Sequence, residues 1–226
     1  MNETLRDIRT QLRLNMNGVI SSSMREKGMN YRLIFGVPLP EIKLIATRYR
    51  QDAELAQALW NEDIREFKIL ATLLMPEQEM NLALAQQWAK EIPYPEIASA
   101  CCSFLFYKTT CAEELIASFI TGQPEPKQPA IAYLTAGQIL LHKKSLTPQL
   151  LGLLKKQALT IMNGTADWNT KQAVIFFLKQ YGRISPCNSQ EILSIVEPLK
   201  EAESPELQEF YNDLAFEFEY YFQKKE

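Results

Sequence analysis

The feature of this chain that most limits its possible folds is a succession of short amphipathic segments. Through most of the 226 residues, apolar side chains recur at three- and four-residue spacing, and most glycines and many prolines lie at the breaks between segments. That spacing puts the apolar side chains on one face of an α-helix, and no stretch sustains the period-two alternation of a strand. The sequence therefore predicts an all-α protein.

The predicted helices come in pairs joined by short turns. They cover approximately residues 2–14, 17–27, 39–49, 52–60, 63–75, 77–91, 95–108, 111–121, 127–143, 147–162, 167–182, 188–200 and 204–222. Such a pair occupies roughly 25 to 40 residues and cannot bury its apolar face alone, so neighbouring pairs stack. The sequence therefore predicts a HEAT-like helical repeat solenoid, an α-α superhelix with one long concave face.

We expect residues 1–226 to form a single domain of this kind. Residues 1–30 are predicted to be N-terminal cap helices, residues 31–200 the repeat body, and residues 201–226 an acidic C-terminal capping helix. The last segment is amphipathic, with apolar residues near helical spacing at Phe210, Leu214, Phe218 and Tyr221. It is expected to close the end of the stack. Alternatively it folds over a basic face, where it would compete with DNA.

Composition excludes several kinds of protein. No apolar run approaches the roughly 20 residues that span a bilayer, and the first residues lack the apolar segment of a signal peptide. We therefore expect a cytoplasmic protein with no membrane association. The four cysteines include no CxxC pair and His142 is the one histidine, so we expect free thiols, no metal site and no cofactor.

Charge is distributed unevenly along the chain. The net charge is −3, but residues 201–226 hold eight acidic residues and two lysines, whereas residues 1–200 hold 22 basic and 19 acidic residues. The body of the chain is therefore mildly basic. This distribution permits binding to nucleic acid but does not by itself predict it.

Three stretches carry a family resemblance. They read YRLIFGVPLPEIKLIATRY at residues 31–49, ALWNEDIREFKILATLL at residues 58–74 and NTKQAVIFFLKQYGRISP at residues 169–186. The second shows a leucine–tryptophan helix end followed by an Arg-Glu-Phe helix start, and the third ends in a basic-x-Tyr-Gly-basic pattern. Together, and in this order, they resemble the DNA alkylation repair family of HEAT-like DNA glycosylases over most of residues 30–190.

The resemblance implies a concave basic surface that holds the backbone of duplex DNA, with aromatic side chains facing an alkylated purine and one carboxylate assisting its release. Electron-rich rings attract a cationic base, and a carboxylate stabilises the developing charge on the sugar. The candidate contacts to the DNA backbone are Arg48, Arg65, Lys68, Lys127, Lys171, Lys179 and Arg183. The candidate aromatic contacts to the lesion are Tyr94, Trp168 and Phe176.

The chain departs from the family at its chemistry. The position of the family's catalytic aspartate holds Ala98, so the acid is lost there and Glu96 is the candidate substitute. An expected arginine is replaced by the Lys127 region, and an expected late tryptophan by Phe176. Whether the chain is an enzyme stays open; an active form would be a DNA glycosylase acting on alkylpurines.

A second class of function is compatible with the same fold. A concave groove between stacked helices also accommodates a peptide or a partner helix, so the alternative is a non-catalytic scaffold that binds protein. In either case we expect a monomer.

Overall fold

The computed structural model describes residues 2–121 and 125–223, and these residues are predominantly helical. The α-helices are α1 (Asn2–Leu14), α2 (Gly18–Glu26), α3 (Leu39–Ala46), α4 (Ala53–Trp60), α5 (Arg65–Leu74), α6 (Leu82–Glu91), α7 (Pro95–Phe104), α8 (Ala112–Ile120), α9 (Gln128–Leu141), α10 (Pro148–Asn163), α11 (Trp168–Gly182), α12 (Pro186–Val196) and α13 (Pro205–Gln223). Short 3₁₀ turns occupy Glu77–Glu79, Phe106–Lys108 and Glu197–Glu201. The all-α prediction is confirmed. Residues 224–226 of the predicted capping helix lie outside the described residues.

The chain divides into two compact units, residues 1–110 with α1–α7 and residues 111–226 with α8–α13. The single domain over residues 1–226 therefore stays a prediction. Within the described residues no strand is present, and the one isolated β-bridge joins Leu33 to Ile64 in parallel. None of the described helices combines the length and the hydropathy that a bilayer crossing requires.

The first unit is built from repeats that are about 31 residues long. Side-chain hydrogen bonds join residues one repeat apart at five places: Arg32 to Asp63, Phe35 to Glu66, Gln57 to Trp88, Trp60 to Glu91, and Arg65 to Glu96. Because one sequence separation recurs at so many positions, successive helix pairs stack in the same register.

The core of the first unit contains a stacked tryptophan pair. The rings of Trp60 and Trp88 are fully buried and nearly parallel, with centroids 4.1 Å apart. Each indole N–H is satisfied across the repeat boundary, by Glu91 at 2.6 Å and by Gln57 at 3.0 Å. Buried tryptophan needs such a partner for its polar edge, so the leucine–tryptophan helix end serves packing between repeats.

In the second unit, α9 and α11 lie side by side, and Gly137 of α9 lies close to the Phe176 ring of α11. A Cβ added at Gly137 would lie 2.5 Å from the Phe176 ring, so only glycine leaves room for that ring. Leu140 and Gln180, near the C-terminal ends of the two helices, line one cavity. The two helices therefore run in the same direction.

The C-terminal helix α13 packs on α11 through the face that its spacing predicts. Phe210, Leu214 and Phe218 are buried, and Tyr221 is half-buried. A Cβ added at Gly182 of α11 would lie 2.2 Å from the Phe218 ring, so this ring occupies the space that glycine leaves. Large aromatic side chains buried in this way contribute strongly to stability, and α13 is therefore an integral part of the second unit.

Candidate nucleic-acid interface

The Arg65–Glu66 pair at the start of α5 is a buried structural element. Glu66 is fully buried and its carboxylate accepts backbone N–H groups from Phe35 at 3.1 Å, Gly36 at 2.9 Å and Val37 at 3.3 Å. Gly36 has φ +73°, which lets these consecutive N–H groups converge on one anion. Glu66 thus fixes the loop that leads into α3.

Arg65 links this loop to the next repeat. Its side chain is 3% exposed and donates to the Val37 carbonyl at 3.1 Å, to Glu66 at 3.0 Å and, from Nε, to Glu96 at 2.9 Å. A second bond runs from Arg65 Nη2 to the other oxygen of Glu96. Burial opposes the charged form of Arg65, but the hydrogen bonds and charges of Glu96 and Glu66 outweigh it and raise the pKa of the guanidinium.

Glu96 is the candidate catalytic acid, and it is held as one half of this ion pair. Its side chain is 34% exposed, and Arg65 engages both of its carboxylate oxygens. It lines an open cavity of about 290 Å³ together with Lys43, Ser99 and Phe104. The position that matches the family's acid holds Ala98, which is buried. A bidentate guanidinium partner fixes the orientation of a carboxylate and offsets its charge.

Tyr94 is likewise committed to contacts within the first unit. Its hydroxyl accepts a hydrogen bond from the Asn30 backbone N–H at 2.7 Å, and its ring lies 4.9 Å from the Tyr31 ring at a tilt of 56°. Tyr94 is half-buried, so part of its surface is available to a ligand.

Lys68 is buried as well, at 9% exposure. Its ammonium donates to the Trp60 carbonyl at 2.7 Å and lies 4.7 Å from the centroid of the Trp60 ring. Burial lowers the pKa of Lys68. The contacts of Arg65 and Lys68 with a DNA backbone stay predictions, and both cations are buried in the unit, where carboxylates, carbonyls and an indole ring are their partners.

Other predicted cations are accessible. Arg48 is exposed and donates to Gln11 at 2.6 Å, and Lys127 is exposed at the N-cap of α9. Lys171 and Lys179 on α11 are partly exposed. These four retain the access that a phosphate contact requires.

Four arginines that sequence reasoning did not single out add to the accessible charge of the first unit. Arg6, Arg9 and Arg13 lie at helical spacing along α1, which is a signal that the sequence offers. Arg9 and Arg32 both approach Glu62, at 3.9 Å and 2.5 Å. One carboxylate is thus shared between two of these cations.

In the second unit, an acidic residue of α13 covers the basic C-terminal end of α11. Glu217 accepts from Nε of Arg183 at 2.9 Å and also from its Nη2, and it lies 4.0 Å from the ammonium of Lys179. The Arg183 guanidinium lies 5.3 Å from the Tyr221 ring centroid. One acidic residue of α13 is therefore placed beside two basic residues of α11, and whether the segment competes with DNA stays a prediction.

The two other aromatic candidates lie on α11. Trp168 is 57% exposed, and its ring centroid is 5.6 Å from that of Phe210. Phe176 is half-buried against Gly137. Trp168 is thus the more accessible of the two for stacking with a base.

Among the described residues, we find neither a disulfide nor a cluster of potential metal ligands. None of the four cysteines is in a disulfide; Cys101, Cys102 and Cys111 are buried, and Cys187 is exposed. Over residues 2–121 and 125–223, no three His, Cys, Asp or Glu side chains are grouped so as to hold a metal ion.

Two comparisons with known proteins find matches. The sequence model of the family described as "DNA alkylation repair enzyme" matches residues 8–186. One solved structure matches with a TM-score of 0.74 and 14% sequence identity, over 85% of this chain and 81% of that chain. It is described as "a new family of proteins related to the HEAT-like repeat DNA glycosylases with affinity for branched DNA structures". No curated protein matches the chain. The predicted HEAT-like repeat fold is thereby confirmed.

Proposed function

Because the chain belongs to the DNA alkylation repair enzyme family, we propose that it binds duplex DNA and that Glu96 does not serve it as a catalytic acid. The family match supports DNA as the ligand, and the observation that carries the assignment of Glu96 is its ion pair with the buried Arg65. The family match covers residues 8–186, which include every candidate site residue.

Accessible cations supply the affinity for DNA. Each unit presents several that are exposed or half-exposed: Arg6, Arg9, Arg13, Arg32 and Arg48 in the first, and Lys127, Lys171, Lys179 and Arg183 in the second. A cation that neutralises a phosphate releases a counterion, which favours binding at low salt whatever the base sequence. The solved structure with the same fold belongs to proteins with affinity for branched DNA, which supports DNA as the ligand.

Glu96 serves the stability of the first unit in this proposal. To assist departure of a base, a carboxylate must direct its charge at the sugar or position a water molecule. Arg65 already binds both oxygens of Glu96. Moving Glu96 toward a substrate would leave the Arg65 charge buried with Glu66 as its remaining carboxylate partner, which is costly.

The test is release of alkylated bases from methylated duplex DNA. We expect the purified protein to release 7-methylguanine at the rate of spontaneous loss, because Arg65 already holds both oxygens of Glu96, the candidate acid. An active glycosylase serves as the positive control, and Glu96→Gln as the matched variant.

Enzyme-dependent release that falls by about 100-fold or more in Glu96→Gln, while DNA binding is retained, would show that Glu96 assists catalysis. Such a result would overturn the proposal.

A protein-binding scaffold is the second candidate, favoured by an exposed aromatic pair on α13. Phe216 is 70% exposed and Tyr220 48% exposed, and their rings lie 6.0 Å apart. Paired exposed aromatics of this kind are enriched at protein interfaces. The monomeric state and the cytoplasmic location remain predictions from the sequence.

A further inference from the structure

A cavity of about 540 Å³ lies in the second unit, beside the C-terminal ends of α9 and α11. Among the described residues, its cationic lining consists of Lys143, Lys144 and Arg183, and it includes no aspartate or glutamate. Arg183 is paired with Glu217 of α13, so Lys143 and Lys144 are the lining cations outside that pair. We propose that this cavity binds one nucleotide of an unpaired DNA strand, with Lys143 and Lys144 at the phosphate. The inference rests on the proposed DNA-binding function and names the kind of DNA that the second unit takes.

The size and lining of the cavity suit a single nucleotide. Cavities for small ligands measure roughly 300–1,000 Å³ and combine an apolar wall with a few polar groups. Here the apolar wall includes Leu141 and Ile184, which are 46% and 57% exposed, together with Tyr221. Apolar and aromatic surface beside cations is the arrangement by which proteins hold single strands, with the base on the apolar part.

Lys143 occupies a backbone conformation that glycine would adopt with less strain. Its φ is +58°, at the residue that follows the C-cap of α9. The N–H of Lys143 bonds the Leu140 carbonyl at 2.9 Å, and the N–H of Lys144 bonds the Ile139 carbonyl at 3.0 Å. Glycine predominates at this position of the helix-ending motif. A lysine at this position of the cavity lining supports the proposal that its side chain contacts the phosphate.

The cavity is distant from Lys171, the cation at the N-terminal end of α11. Arg183 caps the C-terminus of α11, whereas Lys171 lies in its first turn. Twelve residues of helix separate them, which is about 18 Å at 1.5 Å per residue. One nucleotide cannot contact both groups, so the cavity can hold an unpaired strand while Lys171 faces another part of the DNA.

The test compares a short labelled oligothymidylate with a blunt duplex, by fluorescence anisotropy on the full-length protein. Lys143→Gly is the central variant, because glycine fits the backbone and loss of binding cannot be attributed to misfolding. We expect it to weaken oligothymidylate binding about 3- to 10-fold and to lower the salt slope by about 0.7, the value for one phosphate contact on a single strand. Blunt duplex affinity should change by less than about twofold.

Two variants control for charge. Lys143→Arg keeps the cation and should bind oligothymidylate like the unmodified protein. Lys156→Gln removes one exposed cation of α10 that does not line the cavity, and it should also leave the affinity unchanged.

The outcomes separate the two proposals. If the protein binds the duplex but not the oligothymidylate, the cavity assignment alone is overturned. The same holds if Lys143→Gly and Lys156→Gln bind the oligothymidylate with equal affinity. Failure of both DNAs to bind at low salt overturns the proposed function and the inference together.

Discussion

Replacing Arg65 by methionine should lower the free energy of unfolding of the first unit by about 3–5 kcal/mol, the range measured when one partner of a buried ion pair is removed. Methionine fills much of the same volume, so little of this cost comes from a cavity. The cost arises because Glu66 is fully buried and would lose its cationic partner, with backbone N–H groups as its remaining partners. Glu96 would lose its guanidinium partner as well.

Urea denaturation followed by tryptophan fluorescence measures this effect. The chain holds Trp60 and Trp88 in the first unit and Trp168 in the second, so a Trp168→Phe background restricts the signal to the first unit. Arg32→Met is the control, because Arg32 is 66% exposed and pairs with Glu62 at the surface. It should cost about 0–1 kcal/mol. Equal costs for the two variants would contradict the buried-pair account.

Replacing Glu217 by glutamine should strengthen duplex binding roughly 3- to 10-fold at low salt, since Arg183 and Lys179 lose a carboxylate that competes with phosphate. Glu217 pairs with Arg183 and lies beside Lys179, and both cations belong to the region that matches the family. Glu217 itself lies on α13, beyond that region. The slope of log affinity against log salt should steepen by about 0.9 for each phosphate newly contacted.

Glu219→Gln controls for the loss of one negative charge from α13. Glu219 is exposed on the same helix and hydrogen-bonds to Gln223 within it. We expect its duplex affinity to change by less than about twofold. Circular dichroism would verify that both variants keep their helical content. Identical affinities of the two variants for duplex DNA would show that Glu217 does not compete with phosphate.

The helices could be predicted because their determinants are local. Apolar spacing, breaks at glycine and proline, and caps such as Asp52, whose side chain accepts from the Leu55 N–H at 2.7 Å, all lie within a few residues of the helix they define. The buried face of α13 follows from the same local spacing, and Phe210, Leu214 and Phe218 are buried on it.

The burial of Arg65 could not be predicted, because two of its partners are distant in sequence. Arg65 meets Glu96 31 residues later and the Val37 carbonyl 28 residues earlier. From the sequence alone, a buried basic side chain in the first turn of an amphipathic helix cannot be distinguished from a solvent-exposed one. The contact appears only once repeats of about 31 residues stack, which brings the start of α5 beside the start of α7.

The pairing of Glu217 with Arg183 was open for a similar reason. The acidic composition of residues 201–226 was visible in the sequence, but not the surface that the helix would cover. That surface is set by the fit of the Phe218 ring against Gly182, 36 residues apart in the chain. Once the ring is seated, Glu217 lies beside the basic end of α11.

The proposal that this protein binds DNA is tested most directly by anisotropy of a labelled duplex of about 20 base pairs across a salt series, since phosphate contacts have a defined salt dependence. We predict binding at low salt, with log Kd rising linearly with log salt and a slope of about 4 or more, as four or more displaced counterions require. Absent binding at low salt, or an affinity that does not change with salt, would contradict the account.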